Sequence, residues 1–514
     1  MPPSSDRRNR RRQRRQIAPQ LKMPFRQLFH PRPPYEWLDE AQLDRLHEAS
    51  MHILENIGID FLDAEVLAIW QKAGARVDHS RQHVWLDRGL VMEAVARAPA
   101  SFTWRARNPA HNVLLGKNAI TFGPNGGMVY TASLDHGRRP GTMADLQEFL
   151  KLSQMCNVLH YASWEQVSPQ DIPSSTRHLH RLYAGLTLTD KVMMEAAHGR
   201  EITADCIEMM RLVFEDLEGD RDGGPVIGDV INVNSPLRYD DRMLGGLLTY
   251  ARAGQVTFIT PFILAGAMSP ITIAAALAQQ NAEVLAGVAL TQLVRPGAPV
   301  IYGGFTTNID MKSGSPSFGT PEGAWALLVG AQLARRYNLP SRGSGSLTNA
   351  KTPDAQAAYE TMWNLWPAVQ AHTNLIMHAV GWLDGGLTAS FEKFIVDAEN
   401  LAMFYHFLQG FSLEDDDLAL DMIAAVGPGG HHFGTPHTQE RYQTAFYESG
   451  LADRSGYDNW VDAGSPDTLQ RANTIYKDLL RQYEPPPIDP AVKEALADYV
   501  ARRERELEGR NLYA

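Results

Sequence analysis

The sequence predicts an α/β chain: a (β/α)8 TIM barrel with N-terminal α+β decoration and a C-terminal helical extension. Three observations carry this. From about residue 156 onward, short apolar runs that end in Gly, Asn or Pro alternate with helical stretches. The runs start roughly 30 to 45 residues apart, which is the length of one βα unit. They are also continuously apolar rather than alternating, as parallel strands covered on both faces are.

Taken in order, the runs are "HYASWEQ" (160–166), "KVMMEAAH" (191–198), "PVIGDVINVNSP" (225–236), "VTFITPFILAG" (256–266), "PVIYGGF" (299–305), "LPSRGSGS" (339–346) and "NLIMHAVGW" (374–382). "EKFIVDAEN" (392–400) is the candidate to supply or replace an eighth. Helix starts lie between them. Thr320 precedes Pro321 and Glu322, and Thr352 precedes Pro353 and Asp354, each a capping hydroxyl, a proline at the first helical position and an acid in the first turn. After the first, Trp325, Leu328, Val329 and Leu333 form one apolar helix face. Seven or eight such units favour a barrel over a doubly wound sheet. No G-x-G-x-x-G opens the first unit, so nothing points to dinucleotide binding.

Residues 26–155 read as a decoration that wraps the barrel core of 156–410. In it, "LDEAQLDRLHEASMHILENIG" is a helix ended by Gly58, and short strands are expected around Trp85, Phe102 and Val113. Residues 411–514 read as the helical extension. Residues 1–25 form an arginine-rich arm, with Arg7, Arg8, Arg10, Arg11, Arg12, Arg14 and Arg15 in its first sixteen positions; such a run is expected to be a disordered, solvated tail.

Hydrophobic residues make up 44% of the 514-residue chain and charged residues 21%, the balance of a globular protein. A net charge of −11 argues against nucleic acid as a partner. No apolar segment follows the arginine arm to make it an export signal, and no run elsewhere reaches the ~18 apolar residues of a membrane helix. The expected location is the cytoplasm, with no membrane partner. Cys156 and Cys206 are the only cysteines, which excludes a disulfide framework and a thiolate metal cluster.

In a barrel the chemistry sits at the carboxyl ends of the strands. The residues there are Trp164, Glu165, His198, Asn232, Asn234, Thr260, Phe262, Tyr302, Phe305, Asp310, Arg342, Ser344, His378 and Trp382. No H-E-x-x-H and no Walker-type loop is present, and no metal is assigned; His431, His432 and His437 lack a shared ligand face and read as hydrogen-bonded structural residues. The aromatic loading of the strand ends is the positive signal. Rings at Trp164, Phe262, Tyr302, Phe305 and Trp382 suit a cation, and cages of rings hold quaternary ammonium groups. With Arg342 and one or two carboxylates, such a mouth fits a small amphoteric molecule.

The stretch "YGGF...D...SGSPSFGTPEGA...AQLARRYNLPSRGSGS" resembles the trimethylamine methyltransferase family. The likeness extends to "FGPNGGMVYTASLDHGRRPGTMADLQEFLKL" (122–152), "TNAKTPDAQAAYE" (348–360), "FIVDAEN" (394–400) and "PGGHHFGTPHTQERYQ" (428–443), nearly the whole chain except the arm. It implies a (β/α)8 barrel that moves a methyl group from an amine to the cobalt of a separate corrinoid (cobalamin) protein. The implied protein partner is therefore a corrinoid-binding protein, with no cofactor held tightly by this chain. The best-known members carry pyrrolysine, which this chain lacks. That departure implies the pyrrolysine-free branch, whose substrates are quaternary amines such as glycine betaine or proline betaine.

On that reading the substrate-binding candidates, taken from strand-end position, are Trp164, Phe262, Tyr302, Phe305 and Trp382 as cage walls, Arg342 as a carboxylate clamp, and Asn232 and Asn234 as positioning groups. Glu165, Asp310 and His378 are the catalytic candidates, the two carboxylates acting on the cation at longer range. Two alternatives stay open: methyl transfer directly to tetrahydrofolate, and a non-catalytic betaine-binding protein. A homo-oligomer is compatible with either.

Overall fold

The computed structural model describes residues 23–163, 166–214, 217 and 223–512. Its centre is one sheet of eight parallel strands: β1 (Ala119–Phe122), β2 (Tyr161–Ser163), β3 (Val192–Met194), β4 (Ile227–Val233), β5 (Val256–Ala265), β6 (Val300–Gly303), β7 (Ser341–Ser344) and β8 (Leu375–Met377). The pairing runs β2-β3-β4-β5-β6-β7-β8-β1. The sheet curls, and just before β2 His160 N donates to Phe122 O of β1 at 2.9 Å while Phe122 N donates to His160 Nδ1 at 2.8 Å.

Every strand is followed by a helix: α1 (Met143–Met155), α2 (Arg177–Leu188), α3 (Arg200–Val213), α4 (Asp241–Arg252), α5 (Ile273–Val294), α6 (Pro321–Arg336), α7 (Ala355–Gln370) and α8 (Phe391–Gln409). The α6 start is as the sequence predicts, with Thr320 accepting from Gly323 N. The α7 start is not: Asp354 is the cap, accepting from Ala357 N, and Thr352 lies in the turn before it. An ionised carboxylate is the stronger acceptor of the two and takes the cap.

Strand pleating divides the core in two. Val192, Met194, Val230, Val256, Phe258, Ile301, Leu375 and Met377 point inward and form one cluster with Tyr161 and Trp104. Trp104 comes from the hairpin Ser101–Trp104/Val113–Gly116, which plugs the amino end of the sheet and sets its indole 6.0 Å from Tyr161 and 5.5 Å from Phe258. The alternate residues, such as Ile231, Ile259 and Ile376, join the larger outer core beneath the helices. Helix α5 is long and apolar enough to cross a membrane, but 83% of that window is buried. It is wedged between β5 and the N-terminal helices Glu40–His52 and Arg88–Val95, and that covering on every side explains its composition.

The N-terminal region carries the expected helix, Glu40–His52, prolonged by one π turn to Ile57 and ended by Gly58 at φ 87°. Strands lie at His83–Trp85, Ser101–Trp104 and Val113–Gly116, as expected. Two expectations need correction. The region before 156 does more than wrap the sheet, because β1 and α1 come from it and β1 pairs in parallel with β8. "EKFIVDAEN" is no strand; it lies inside α8. The first unit escapes notice because a hairpin, Tyr130–Ser133/Gly137–Pro140, intervenes between its strand and its helix. That hairpin joins Trp382–Leu383 and Thr388–Ser390 in a small sheet beyond the carboxyl ends of β8 and β1. In the extension, Thr468–Arg481 packs on α1 and α8, and Pro490–Leu507 on α2 and α3. The arginine arm through residue 22 lies outside the described residues.

Candidate active site

The site is built from β5, β6, β7, β8 and the loops that leave them. Strand β5 continues past the carboxyl end of β6 and pairs with the extension strand Phe305–Ile309, with Phe262 directly opposite Phe305. Their ring centroids are 4.9 Å apart. The break between β6 and this extension falls at Gly303–Gly304. A Cβ on Gly303 would lie 2.1 Å from Thr260 Oγ1 and 2.4 Å from Ile259 O, so only glycine lets β6 approach β5 this closely.

Arg342 points inward from β7, opposite Gly303. Its guanidinium is buried, donates through Nη1 to Gly304 O at 2.9 Å and through Nη2 to His378 Nε2 at 3.0 Å, and lies 4.9 Å from the centroid of Phe305. His378 leaves β8 with φ 55°, a left-handed conformation held by His378 N donating to Pro124 O and Ser346 N donating to His378 O. Burial, with Arg342 adding to it, pushes the imidazole well below the ordinary histidine pKa. It is therefore neutral. Because Nε2 accepts from Arg342, the ring proton sits on Nδ1, which is buried and has no partner among the described residues.

Trp382 completes the wall, with its centroid 4.8 Å from His378, 6.2 Å from Phe305 and 5.5 Å from Phe318. Its Nε1 and the hydroxyl of Ser344 are likewise buried without a partner among the described residues. Trp382 packs against Gly386, where φ is 98° and a Cβ would sit 2.5 Å from the indole. Behind it, Gly381 N donates to Asp397 Oδ2 at 2.9 Å, and Asp397 is held in turn by Lys393, both fully buried on α8. A small pocket opens beside Phe305. It is lined by Phe318, Arg342, Ser344, Leu347 and the small residues Gly323, Ala326 and Gly330 of α6.

The structure thus brings together Phe262, Phe305, Arg342, His378 and Trp382. Asn232 is on the interior face of β4, opposite Thr260, and exposed. Three predicted residues stand elsewhere. Tyr302 has the wrong parity and points out into the helix layer, where its hydroxyl donates to Asn281 Oδ1 at 3.0 Å and its ring lies 6.3 Å from Tyr337. Asn234 closes the loop before α4, donating to Asp240 Oδ2 at 3.0 Å and accepting from Asp240 N at 2.9 Å. Asp310 caps a turn at the tip of the Phe305–Ile309/Pro316–Ser317 hairpin, accepting from Ser313 Oγ at 2.6 Å, a bond that lowers its pKa. Trp164 and Glu165 lie outside the described residues. Glu195 accepts from Arg181 Nη2 at 3.0 Å.

Sequence reasoning missed Phe318. It sits between the Ser-rich hairpin and Thr320, where its single ring in a polar stretch was the available signal. Among the described residues no group of three or more His, Cys, Asp or Glu side chains is placed to hold a metal. His437 Nε2 donates to Asp416 O at 3.1 Å. Burial raises the thiol pKa of both cysteines, that of Cys156 to about 12, so neither is a nucleophile.

The family model described as trimethylamine methyltransferase (MTTB) matches residues 4–508. The chain belongs to this methyltransferase family. It is 40% identical over 475 residues to the glycine betaine methyltransferase of Desulfitobacterium hafniense (strain Y51), covering 92% of this chain and 98% of that one. The trimethylamine methyltransferase MttB of D. hafniense (strain DSM 10664 / DCB-2) is 30% identical over 471 residues, covering 91% of this chain and 94% of that one. Among solved structures, the monomethylamine methyltransferase MtmB of Methanosarcina barkeri superposes with a TM-score of 0.50 at 8% identity, covering 88% of this chain and 90% of that one. That likeness bears on the α/β fold of the family alone.

Proposed function

We propose that this methyltransferase takes a methyl group from a quaternary amine bearing a carboxylate, of the glycine betaine class, and delivers it to the cobalt of a corrinoid protein. The observation that carries this is the hydrogen bond between Arg342 and neutral His378, set inside the ring cluster of Phe262, Phe305 and Trp382. A carboxylate is met by the guanidinium, while the trimethylammonium group is met by ring faces. The likeness to a glycine betaine methyltransferase supports the same substrate class.

The division of labour follows from charge. Arg342 already lies over Phe305, so it repels an ammonium on that side and steers the carboxylate toward itself. The rings strip water from the N-methyl groups without neutralising the cation. A carboxylate close to the nitrogen would stabilise the ground state and slow the reaction, and Asp310 is turned away into its own turn. The docked corrinoid supplies the nucleophile. As the methyl group leaves, its C–N bond breaks with both electrons passing to nitrogen, which departs as a neutral tertiary amine. This chain's residues bind, orient and desolvate, which is catalysis by proximity.

In this reading the curled sheet is a full (β/α)8 barrel, closed between β1 and β2, with its core spanning about residues 119–409. The N-terminal region to about 118 plugs and wraps it, and the chain works in the cytoplasm. The test supplies purified protein with glycine betaine and cob(I)alamin and follows formation of dimethylglycine. Demethylation that needs both components is expected. No demethylation across a panel of quaternary amines overturns the proposal, and turnover with tetrahydrofolate replacing the corrinoid redirects it.

A further inference from the structure

Residues 411–446 form short helices at Asp415–Leu418, Leu420–Val426 and Pro436–Arg441, yet not one residue in this run is buried. Its apolar side chains stand in solvent: Phe411 is 88% exposed, Leu413 70%, Leu420 69%, Phe433 80%, Tyr442 61% and Phe446 82%. Single exposed apolar residues are ordinary, but a run of this length with no buried member has no core of its own. The chain returns to the body only at Tyr447, whose hydroxyl donates to Glu399 Oε1 at 2.9 Å, and at buried Leu451.

The same chain carries an uncovered apolar face. On α7, Tyr359, Trp363 and Trp366 recur at i, i+4 and i+7, and on α8 Met403 and Phe407 recur at i and i+4. All five are exposed, and the rings of Trp366 and Phe407 lie 5.3 Å apart, so the face is continuous across the two helices. The arm leaves α8 at Gly410, right beside this face, without covering it.

We propose that the chain self-associates by exchanging arms: residues 411–446 of one copy pack on the α7–α8 face of a second copy, and the reverse. Each copy holds one unpaired donor and one unpaired acceptor, and a two-fold axis satisfies both at once. A foreign partner would have to match two separate surfaces. Area agrees. A large apolar side chain buries on the order of 150 Å². Six at these exposures offer roughly 700 Å² per arm, which for two arms falls within the ~1,200–2,000 Å² of a specific interface.

Sedimentation velocity on the full chain at micromolar concentration tests this. The expected wild type is a dimer or a larger even-numbered assembly. An arm variant, Phe411→Asp with Phe433→Asp and Phe446→Asp, and a face variant, Tyr359→Asp with Trp363→Asp, are each expected to sediment as monomers that keep the wild-type far-ultraviolet circular dichroism, since all these side chains are exposed within one copy. Mixing the two variants restores one arm–face pair and is expected to restore dimers. A monomeric wild type, association that survives the arm substitutions, or a mixture that stays monomeric each overturns the proposal.

Discussion

Nη2 of Arg342 donates to Nε2 of His378 across 3.0 Å, and this bond sets the chemistry of both. It fixes the imidazole tautomer and holds the guanidinium over Phe305. Arg342→Lys keeps the charge but cannot reach both Gly304 O and His378 Nε2. KM for glycine betaine is expected to rise by about 10- to 100-fold, or roughly 1.4–2.7 kcal/mol. Handling of tetramethylammonium, which has no carboxylate, is expected to stay the same. Equal losses for both substrates would remove Arg342 from carboxylate binding.

Phe305 is half-buried and touches Phe262, Phe318, His378 and Trp382. Phe305→Ala is expected to weaken both glycine betaine and tetramethylammonium by about tenfold, the ~1–2 kcal/mol of a partly desolvated cation–π contact, with the fold retained. Titration calorimetry measures this. An unchanged affinity takes Phe305 out of the cage.

Tyr302 lies three positions before Phe305 in sequence, yet its side chain points into the helix layer. Tyr302→Phe removes the bond to Asn281 and is expected to cost about 1 kcal/mol of stability while leaving KM where it was. A shifted KM with unchanged stability would contradict the outward placement.

Asp397 anchors Gly381 N, one residue before Trp382 and three after His378. Asp397→Ala strands the buried Lys393 charge, at a cost of about 3–5 kcal/mol. Lys393→Met combined with Asp397→Leu is expected to recover most of that stability while KM stays raised, because the Gly381 anchor is still missing. Recovery of KM along with stability would show that the pair only supports the fold.

Acid should destabilise the protein. Burial lowers the pKa of His160 to about 3 and those of His198 and His372 to about 4, while the unfolded chain binds protons at these rings near pH 6.5. Between those limits the unfolded state holds more protons, so stability falls as pH drops from about 6.5 toward 4. Glu283 has the opposite sign. Burial raises it to about 7, so its contribution is present below its unfolded value and lost as pH rises through about 7. Melting temperature is expected to fall from pH 7 to pH 5 in the wild type. Glu283→Gln is expected to gain stability relative to wild type progressively over that range as pH rises; a constant difference would refute the assignment.

Much was legible from local pattern. The apolar runs at 191–194, 227–233, 256–265 and 300–303 became strands because they are continuous, β-branched and bounded by turn residues. Arg342, His378 and Trp382 were candidates because chemistry in such a fold collects at strand ends. Other features depended on partners far away in the chain. Strand β1 belongs to the sheet only through its pairing with β8, and no periodicity within 119–122 announces that. Tyr302 faces the helices, and Phe262 and Phe305 face each other, because register with β5 and β7 sets the parity, and a period-two element says nothing about its own face until its neighbours are known. The sequence by itself determined the βα rhythm, the helix starts and the supply of rings and charge at the strand ends. The tertiary structure decided which of those side chains share one site, because a hydrogen bond such as that between Arg342 and His378 joins two strands that meet only in space.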